Sequence, residues 1–146
     1  ITQNVDDLHE RAGCKNVLHL HGELKKICSE IDINDIRILD GWELTAEMKD
    51  AYGKPLRPHI VWFGEPVPNI DIAVKLCEEA DIMIIIGTSL NVYPAAGLLH
   101  YTKKNCKKYL IDPKMVNITD KNITFVKQKA SSGVKQVVDE ILSEYL

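Results

Sequence analysis

At 146 residues, 45% of them hydrophobic, with a formal charge of −3, the chain is long enough to bury a core and reads as one soluble domain. The acidic excess is small and no long basic face occurs, which argues against direct nucleic-acid binding; no apolar run reaches membrane-spanning length, which argues against a membrane partner. Four widely spaced cysteines (Cys14, Cys28, Cys77, Cys106) form no paired motif, and they favour reduced thiols and a cytoplasmic location.

The chain opens at Ile1-Thr2-Gln3-Asn4, without an initiator Met and already at a plausible strand end, so it reads as a fragment or a processing product lacking an N-terminal portion. Residues 6–12 predict a short helix ended by Gly13. Residues 16–21 alternate as a strand does, with Leu18 and Leu20 on one face and His19 and His21 on the other. Gly22 is expected to break that strand and leave His21 at its end, facing a cleft. An imidazole there is well suited to act as a general base toward a sugar hydroxyl. The competing reading is two half-buried polar residues on a strand.

Residues 24–56 lose the pattern and read as a small excursion. Ile31, Ile33, Ile36 and Ile38 indicate short extended pieces, 44–52 a helical turn or two, and Gly53, Pro55 and Pro58 punctuate the return. Ile31, Ile33, Ile36, Ile38, Leu39 and Trp42 are its expected core. The apolar run around Val61, Trp62 and Phe63 reads equally as a buried connector. Ile72, Ala73, Leu76 and Ala80 recur at helical spacing.

Ile82–Ile86 is an unbroken apolar run, rich in β-branched residues and expected to be a strand buried on both faces of a parallel sheet. Gly87-Thr88-Ser89 follows at the strand end, where open α/β sheets bind ligands, and a helix starts near Pro94. Lys103, Lys104, Lys107 and Lys108 read as helix-end solvation. A strand then ends at Asp112-Pro113, where a carboxylate either meets a ribose or simply forms the turn. Ile123–Val126 is a further strand. A last helix, capped by Ser131 or Ser132, carries an apolar stripe of Val134, Val137, Val138, Ile141, Leu142 and Tyr145. The fold class is α/β: a Rossmann-like, mostly parallel sheet flanked by helices, incomplete at the N-terminus, divided as 1–23, a 24–56 excursion, and 57–146.

Four motifs stand in order: Thr2-Gln3-Asn4-Val5-Asp6, His19-Leu20-His21-Gly22-Glu23, Pro58-His59-Ile60-Val61-Trp62-Phe63-Gly64-Glu65, and Gly87-Thr88-Ser89-Leu90-Asn91-Val92-Tyr93-Pro94. With them the chain resembles the NAD-dependent protein deacylases of the sirtuin family, bacterial members in particular, over its whole length. The resemblance implies that Asp6 holds the nicotinamide carboxamide, that Gln3 and Asn4 orient the ribose and a water, and that His21 is the general base. It implies an acyl-lysine substrate whose carbonyl oxygen displaces nicotinamide from C1′ of the ribose, the acyl group ending on ADP-ribose. Val61 and Phe63 would line the acyl-lysine tunnel, the Val61 backbone accepting the substrate amide N–H. Gly64 and Glu65, with Leu90, Asn91 and Val92, would clamp the peptide as an added strand. Gly87, Thr88 and Ser89 would hold the adenosine side of the cofactor, Asp112 (where the family usually has Asn) its ribose, and Ser131 with Ser132 the adenine.

The family commonly carries a structural zinc on two cysteine pairs in the excursion. Here 24–56 holds Cys28 alone, which excludes a four-ligand site of that kind. The glycine-rich pyrophosphate turn of the family is expected in the absent N-terminal portion, along with the determinants of acyl preference. The fragment by itself is therefore expected to be inactive and to self-associate through an exposed sheet edge. Two other classes compete with the deacylase: an NAD-dependent protein ADP-ribosyltransferase and a non-catalytic nucleotide-binding module. A binding module has no need of His21, and transfer has no need of the clamping edges.

Overall fold

The structure, a computed structural model, describes residues 1–32, 34–88, 95–114 and 122–145. Its elements are α1 (Leu8–Arg11), β1 (Gly22–Cys28), β2 (Ile36–Ile38), β3 (Arg57–Ile60), α2 (Ile70–Glu79), β4 (Ile82–Ile86), a 3-10 helix (Ala95–Tyr101), β5 (Lys107–Ile111), β6 (Ile123–Val126) and α3 (Ala130–Tyr145). They form two compact units, Ile1–Ala73 and Val74–Leu146, and α2 runs across the division.

The second unit holds a three-stranded parallel sheet in the order β4-β5-β6. β5 is central and buried from Lys108 to Ile111. Tyr109, Ile111, Val126 and Val137 form the core, with Ile82, Ile84, Val134 and Ile141 packed on it. The expected stripe on α3 therefore splits. Val134, Val137 and Ile141 face the sheet, while Val138 and Leu142 are exposed. A wide sequence stripe becomes a narrow buried one because Gly133 brings the helix close: a Cβ there would meet Ile111 Cγ2 at 2.5 Å. β4 also departs from expectation. It is half-buried rather than covered on both faces, since among the described residues it pairs only with β5 and so lies at a sheet edge. The helix expected near Pro94 is a 3-10 helix that buries Ala96, Leu98 and Leu99; Pro94 lies outside the described residues. α3 starts at Ala130, so Ser131 and Ser132 sit inside its first turn rather than capping it, and the Ser132 hydroxyl donates back to the Lys129 carbonyl at 3.2 Å.

The first unit is built on an antiparallel sheet, β2-β1-β3. Gly22 does not end the extended chain here; it opens β1 with φ +80°, and its missing Cβ is a packing requirement, because a Cβ would lie 2.0 Å from the His59 carbonyl oxygen. Among the described residues β3 is an edge strand, where Pro58 removes no ladder donor that the sheet needs. The apolar segment following it is no buried connector: Trp62 and Phe63 are exposed.

The excursion packs differently from its sequence reading. Its core is Ile27, Leu39 and Leu56, joined by Leu44 and Met48. Ile31, Ile36, Ile38 and Trp42 are exposed, and Ile33 lies outside the described residues. Residues 44–52 form no helix. Instead the buried Asp50 carboxylate gathers the loop, accepting from the Ser29 hydroxyl at 2.6 Å and from the Tyr52 and Lys54 N–H groups at 2.9 Å each. That competition for backbone donors is why the apparent helical turn does not form. On α2 the buried positions are Ala73 and Cys77, one turn apart, while Ile72 and Leu76 are exposed.

Candidate active site

In the first unit the N-terminal segment is tied to the His-x-His segment that leads into β1. Thr2 donates its N–H to the Leu18 carbonyl and its own carbonyl accepts from the Leu20 N–H, both at 2.9 Å, a parallel bridge opposite His19. Leu20 fills the interior beneath, 1% exposed. The strand expected over residues 16–21 does not form: its pairing among the described residues is the single bridge at His19, and β1 begins only at Gly22. Both imidazoles nonetheless face residues 3 and 4. His21 Nδ1 lies 3.1 Å from the Gln3 carbonyl oxygen, and His19 Nδ1 lies 3.0 Å from the Asn4 carbonyl oxygen.

The two rings differ at their far nitrogen. His19 Nε2 meets a Glu10 carboxylate oxygen at 2.8 Å. The His21 ring has no second hydrogen bond among the described residues. With Nδ1 carrying its proton toward Gln3, the Nε2 lone pair of His21 is the one available as a base. The His21 carbonyl accepts from the Val61 N–H at 2.9 Å, which places the Val61 backbone beside the base. Asn69, immediately before α2, donates its side-chain amide to the His19 carbonyl at 2.8 Å.

His19 is buried, and burial by itself would depress its pKa; the hydrogen bonds to Glu10 and Asn4, with the charges of Glu23 and Glu10, outweigh that and raise it. Glu10 is held below the usual carboxylate range, first by its bond to His19. His59, on β3, goes the other way: burial pushes it down, and its Nδ1 is buried without a hydrogen-bond partner among the described residues.

The loop after β3 presents Trp62 and Phe63 outward, Phe63 fully exposed, with Gly64 at φ +90° turning the chain. Glu65 closes this turn. Its carboxylate accepts from the Trp62 N–H at 2.9 Å and pairs with Arg57 at 3.1 Å, and the backbone bond in the first place holds it below the usual carboxylate range. Asp6 also serves its own segment, where its Oδ1 accepts the Leu8 N–H at 3.1 Å and opens α1. The resemblance gives Glu65 and Asp6 contact roles; in the structure each shapes the turn it occupies.

In the second unit, Gly87 leaves β4 with φ +61° and donates its N–H to the Ile111 carbonyl at 3.1 Å. Asp112 follows Ile111, its N–H bonded to the Val126 carbonyl at 3.2 Å and its Oδ1 accepting the Lys114 N–H at 2.7 Å. The Asp112 carboxylate is thus a turn former, as one of the two readings held. Gly133 packs on Ile111, which brings the first turn of α3, with Ser131, to the same carboxyl edge of the parallel sheet. Thr88 is half-buried; Ser89, Leu90, Asn91 and Val92 lie outside the described residues.

Sequence reasoning missed Glu10, Asn69, Arg57 and Gly133. The signal for Gly133 was its place inside an otherwise apolar helical stripe. The other three act through partners distant in sequence and left no local pattern.

A family profile described as "Sir2 family" matches residues 1–94. A protein of Bacteroides thetaiotaomicron named NAD-dependent protein deacylase is 53% identical over 143 residues, a match covering 94% of this chain and 61% of that protein. Among solved structures, a Sir2 homolog in complex with NAD superposes with a TM-score of 0.82 at 35% identity, covering 97% of this chain and 57% of that one. A second, Sir2 in complex with the inhibitor EX-527, 2′-O-acetyl-ADP-ribose and a deacetylated p53 peptide, gives a TM-score of 0.75 at 30% identity, covering 94% and 62%. The chain thus spans less than two thirds of the length of each of these relatives. On the profile match across residues 1–94, and with the His-x-His and Gln3-Asn4 segments joined as described, the chain belongs to the Sir2 family.

Proposed function

We propose that this chain carries the base and the substrate-facing loop of an NAD-dependent protein-lysine deacylase. The observation that carries the reading is His21: its Nδ1 is committed to the Gln3 carbonyl, which leaves its Nε2 as the base, and its backbone is bonded to that of Val61. The donor set suits NAD. Amide side chains of Gln3 and Asn4 and the Asp6 carboxylate match a carboxamide and ribose hydroxyls, and the Gly87–Asp112–Ser131 edge matches an adenosine at the end of parallel strands. When bound, NAD supplies a ribose carbon activated by departure of nicotinamide.

In this reading the chain's own residues do four things. Gln3, Asn4 and Asp6 orient the ribose and the carboxamide. His21 Nε2 takes a proton from a ribose hydroxyl once the acyl oxygen has been engaged. Val61 accepts the substrate's amide N–H at its carbonyl, its own N–H being held by His21. Val61 and Phe63 line the path of the acyl chain, while Gly64 and Glu65 present an edge to the peptide. Leu90, Asn91 and Val92 would supply the opposite edge, and Thr88 with Ser89 the adenosine contacts.

The full-length protein, given an acyl-lysine peptide and NAD, is expected to release free lysine peptide, nicotinamide and O-acyl-ADP-ribose. His21→Ala should lower turnover by roughly 10²–10⁴-fold, the usual worth of a positioned general base. Turnover at the parental rate in that variant would remove His21 from the mechanism. Label from NAD appearing on protein, with no acyl-ADP-ribose formed, would indicate ADP-ribosyl transfer instead.

The reading extends to the chain as a piece. The 146 residues cover little more than half of the solved relative's length, and alone they should turn over no acyl-lysine. They should also self-associate along β4, which pairs only with β5 among the described residues. A cytoplasmic, reducing location is supported by four free thiols, three of them buried. The 24–56 excursion is proposed to bind no zinc, since its one thiol, Cys28, is buried and directed at the Pro58 carbonyl.

A further inference from the structure

His19 is 5% exposed, and each of its ring nitrogens faces an acceptor: the Asn4 carbonyl oxygen at Nδ1 and the Glu10 carboxylate at Nε2. A carbonyl oxygen has no proton to give, and an ionised carboxylate has none either. A neutral imidazole owns a single N–H and leaves one of these acceptors against a lone pair; the imidazolium satisfies both. We infer that His19 is a positioning residue, kept as an imidazolium by Glu10 so that it pins the Asn4 carbonyl and thereby sets the Gln3–Asn4 segment against His21. The inference deepens the proposed deacylase reading and rests on it for the roles of Gln3, Asn4 and His21.

The geometry around the peptide between Gln3 and Asn4 is what gives this clamp a purpose. His21 holds the carbonyl on one side of Asn4's N–H and His19 holds the carbonyl beyond it, so two adjacent carbonyls are fixed by two rings two residues apart in the chain. Thr2 Oγ1 accepts the Asn4 N–H at 3.1 Å, which completes the fixation of that residue's backbone. His19 is in turn held by the Asn69 amide on its own carbonyl.

The charged groups facing the ring come from two elements. Glu10 from α1 bonds it directly, and Glu23 from β1 adds a favourable field that Lys26, bonded to Glu23 at 2.6 Å, partly offsets. His9 stands beside Glu10 and also favours its ionised form. Thr2 and Asn4 from the N-terminal segment, and Asn69 from the segment before α2, contribute dipoles but no charge. On deprotonation, Glu10 keeps the remaining proton at Nε2, because that bond is charge-assisted. Nδ1 then presents a lone pair to the Asn4 carbonyl, and the clamp opens. Cofactor affinity should therefore weaken as pH rises through the His19 titration, independently of His21.

The test uses the full-length protein with histidine side chains labelled for NMR, alongside the pH dependence of KM for NAD. His19 is expected to be doubly protonated at neutral pH, with slow exchange of the Asn4 amide, and KM for NAD is expected to climb as the ring titrates. His19→Ala should raise KM for NAD by roughly 10-fold or more where the parental ring is an imidazolium, the effect of one lost charge-assisted hydrogen bond, and the gap should close as the parental ring deprotonates. His19→Asn, whose amide nitrogen stands near the Nδ1 position, should recover most of that loss and erase the alkaline rise. Glu10→Gln donates to Nε2, allows a neutral ring to keep its Nδ1 proton toward Asn4, and should likewise flatten the rise. A neutral His19 at neutral pH, or a His19→Ala enzyme with parental KM and pH profile, overturns the inference. Absence of deacylation in the parent would count against the functional reading alone, and the NMR and exchange measurements would still decide the clamp.

Discussion

The imidazole of His19 and the carboxylate of Glu10 shift in opposite directions, and that fixes how this corner responds to pH. A raised histidine adds stability that is full below its ordinary value of about 6.5 and is lost as pH rises through the raised one. A lowered glutamate adds stability that is full above its ordinary value of about 4.5 and is lost as pH falls through the lowered one. The pair therefore stabilises the fold most strongly between those two ordinary values. Denaturant midpoints measured across this range should show a plateau there and a decline on the alkaline side, and Glu10→Gln should remove the alkaline decline. The His-x-His alternation was legible in the sequence because it needs only a period of two. Glu10 was not, because nothing local links a residue on α1 to a ring 9 positions later.

At the scale of elements, the sequence read best where one interaction decides the outcome. β4 and β6 match their expected bounds, since β-branched runs between turn residues leave few alternatives. The excursion read worst. Ile36 and Ile38 look like core on composition, yet β2 is three residues long, at the edge of its sheet, with both side chains outward. Leu39, the next residue, turns in to meet Ile27 and Leu56. A one-residue difference in phase inverts a strand's faces, and a three-residue strand gives too little pattern to set it. Substitution distinguishes the two readings. Leu39→Ala should cost about 2–5 kcal/mol, as for a buried leucine, while Ile38→Ala should stay within about 0.5 kcal/mol. Chemical denaturation of the two variants, with equal losses as the adverse result, decides it. The Ser29–Asp50 hub was likewise invisible: a Ser and an Asp 21 positions apart carry no motif.

For the molecule as a whole, the two units make different kinds of sheet, antiparallel in Ile1–Ala73 and parallel in Val74–Leu146. The Rossmann-like class was legible from the alternation of strands and helices in the second unit; the antiparallel sheet was not, because its pairing bridges residues 22–28 to 57–60 across the loosely patterned stretch. An edge strand of isoleucines is a template for pairing with another chain. Ile86, 45% exposed at the end of β4, is the position at which a charge should act without entering the core. Sedimentation of the 146-residue chain is expected to show association that grows with concentration, and Ile86→Lys should reduce it. Monomers at all concentrations in the unsubstituted chain would show that the β4 edge is inert.

The chain's two tryptophans have an optical consequence. Trp42 lies beneath the Lys25 ammonium, 3.3 Å from the ring centroid, and Lys25 is further anchored to the Gly41 carbonyl at 3.1 Å. Trp62 stands in the turn closed by Glu65, exposed beside Phe63. One indole thus sits under a fixed cation in the excursion, and the other sits in water where a peptide is proposed to land. With Trp42→Phe, the remaining emission belongs to Trp62 and should move to shorter wavelength when an acyl-lysine peptide excludes water from it. With Trp62→Phe, the remaining emission should ignore the peptide and change only when the excursion unfolds. A peptide response carried by Trp42 would relocate the landing site. The unlabelled chain therefore carries two native indole fluorophores, one reporting occupancy and the other integrity, separable by a single substitution each.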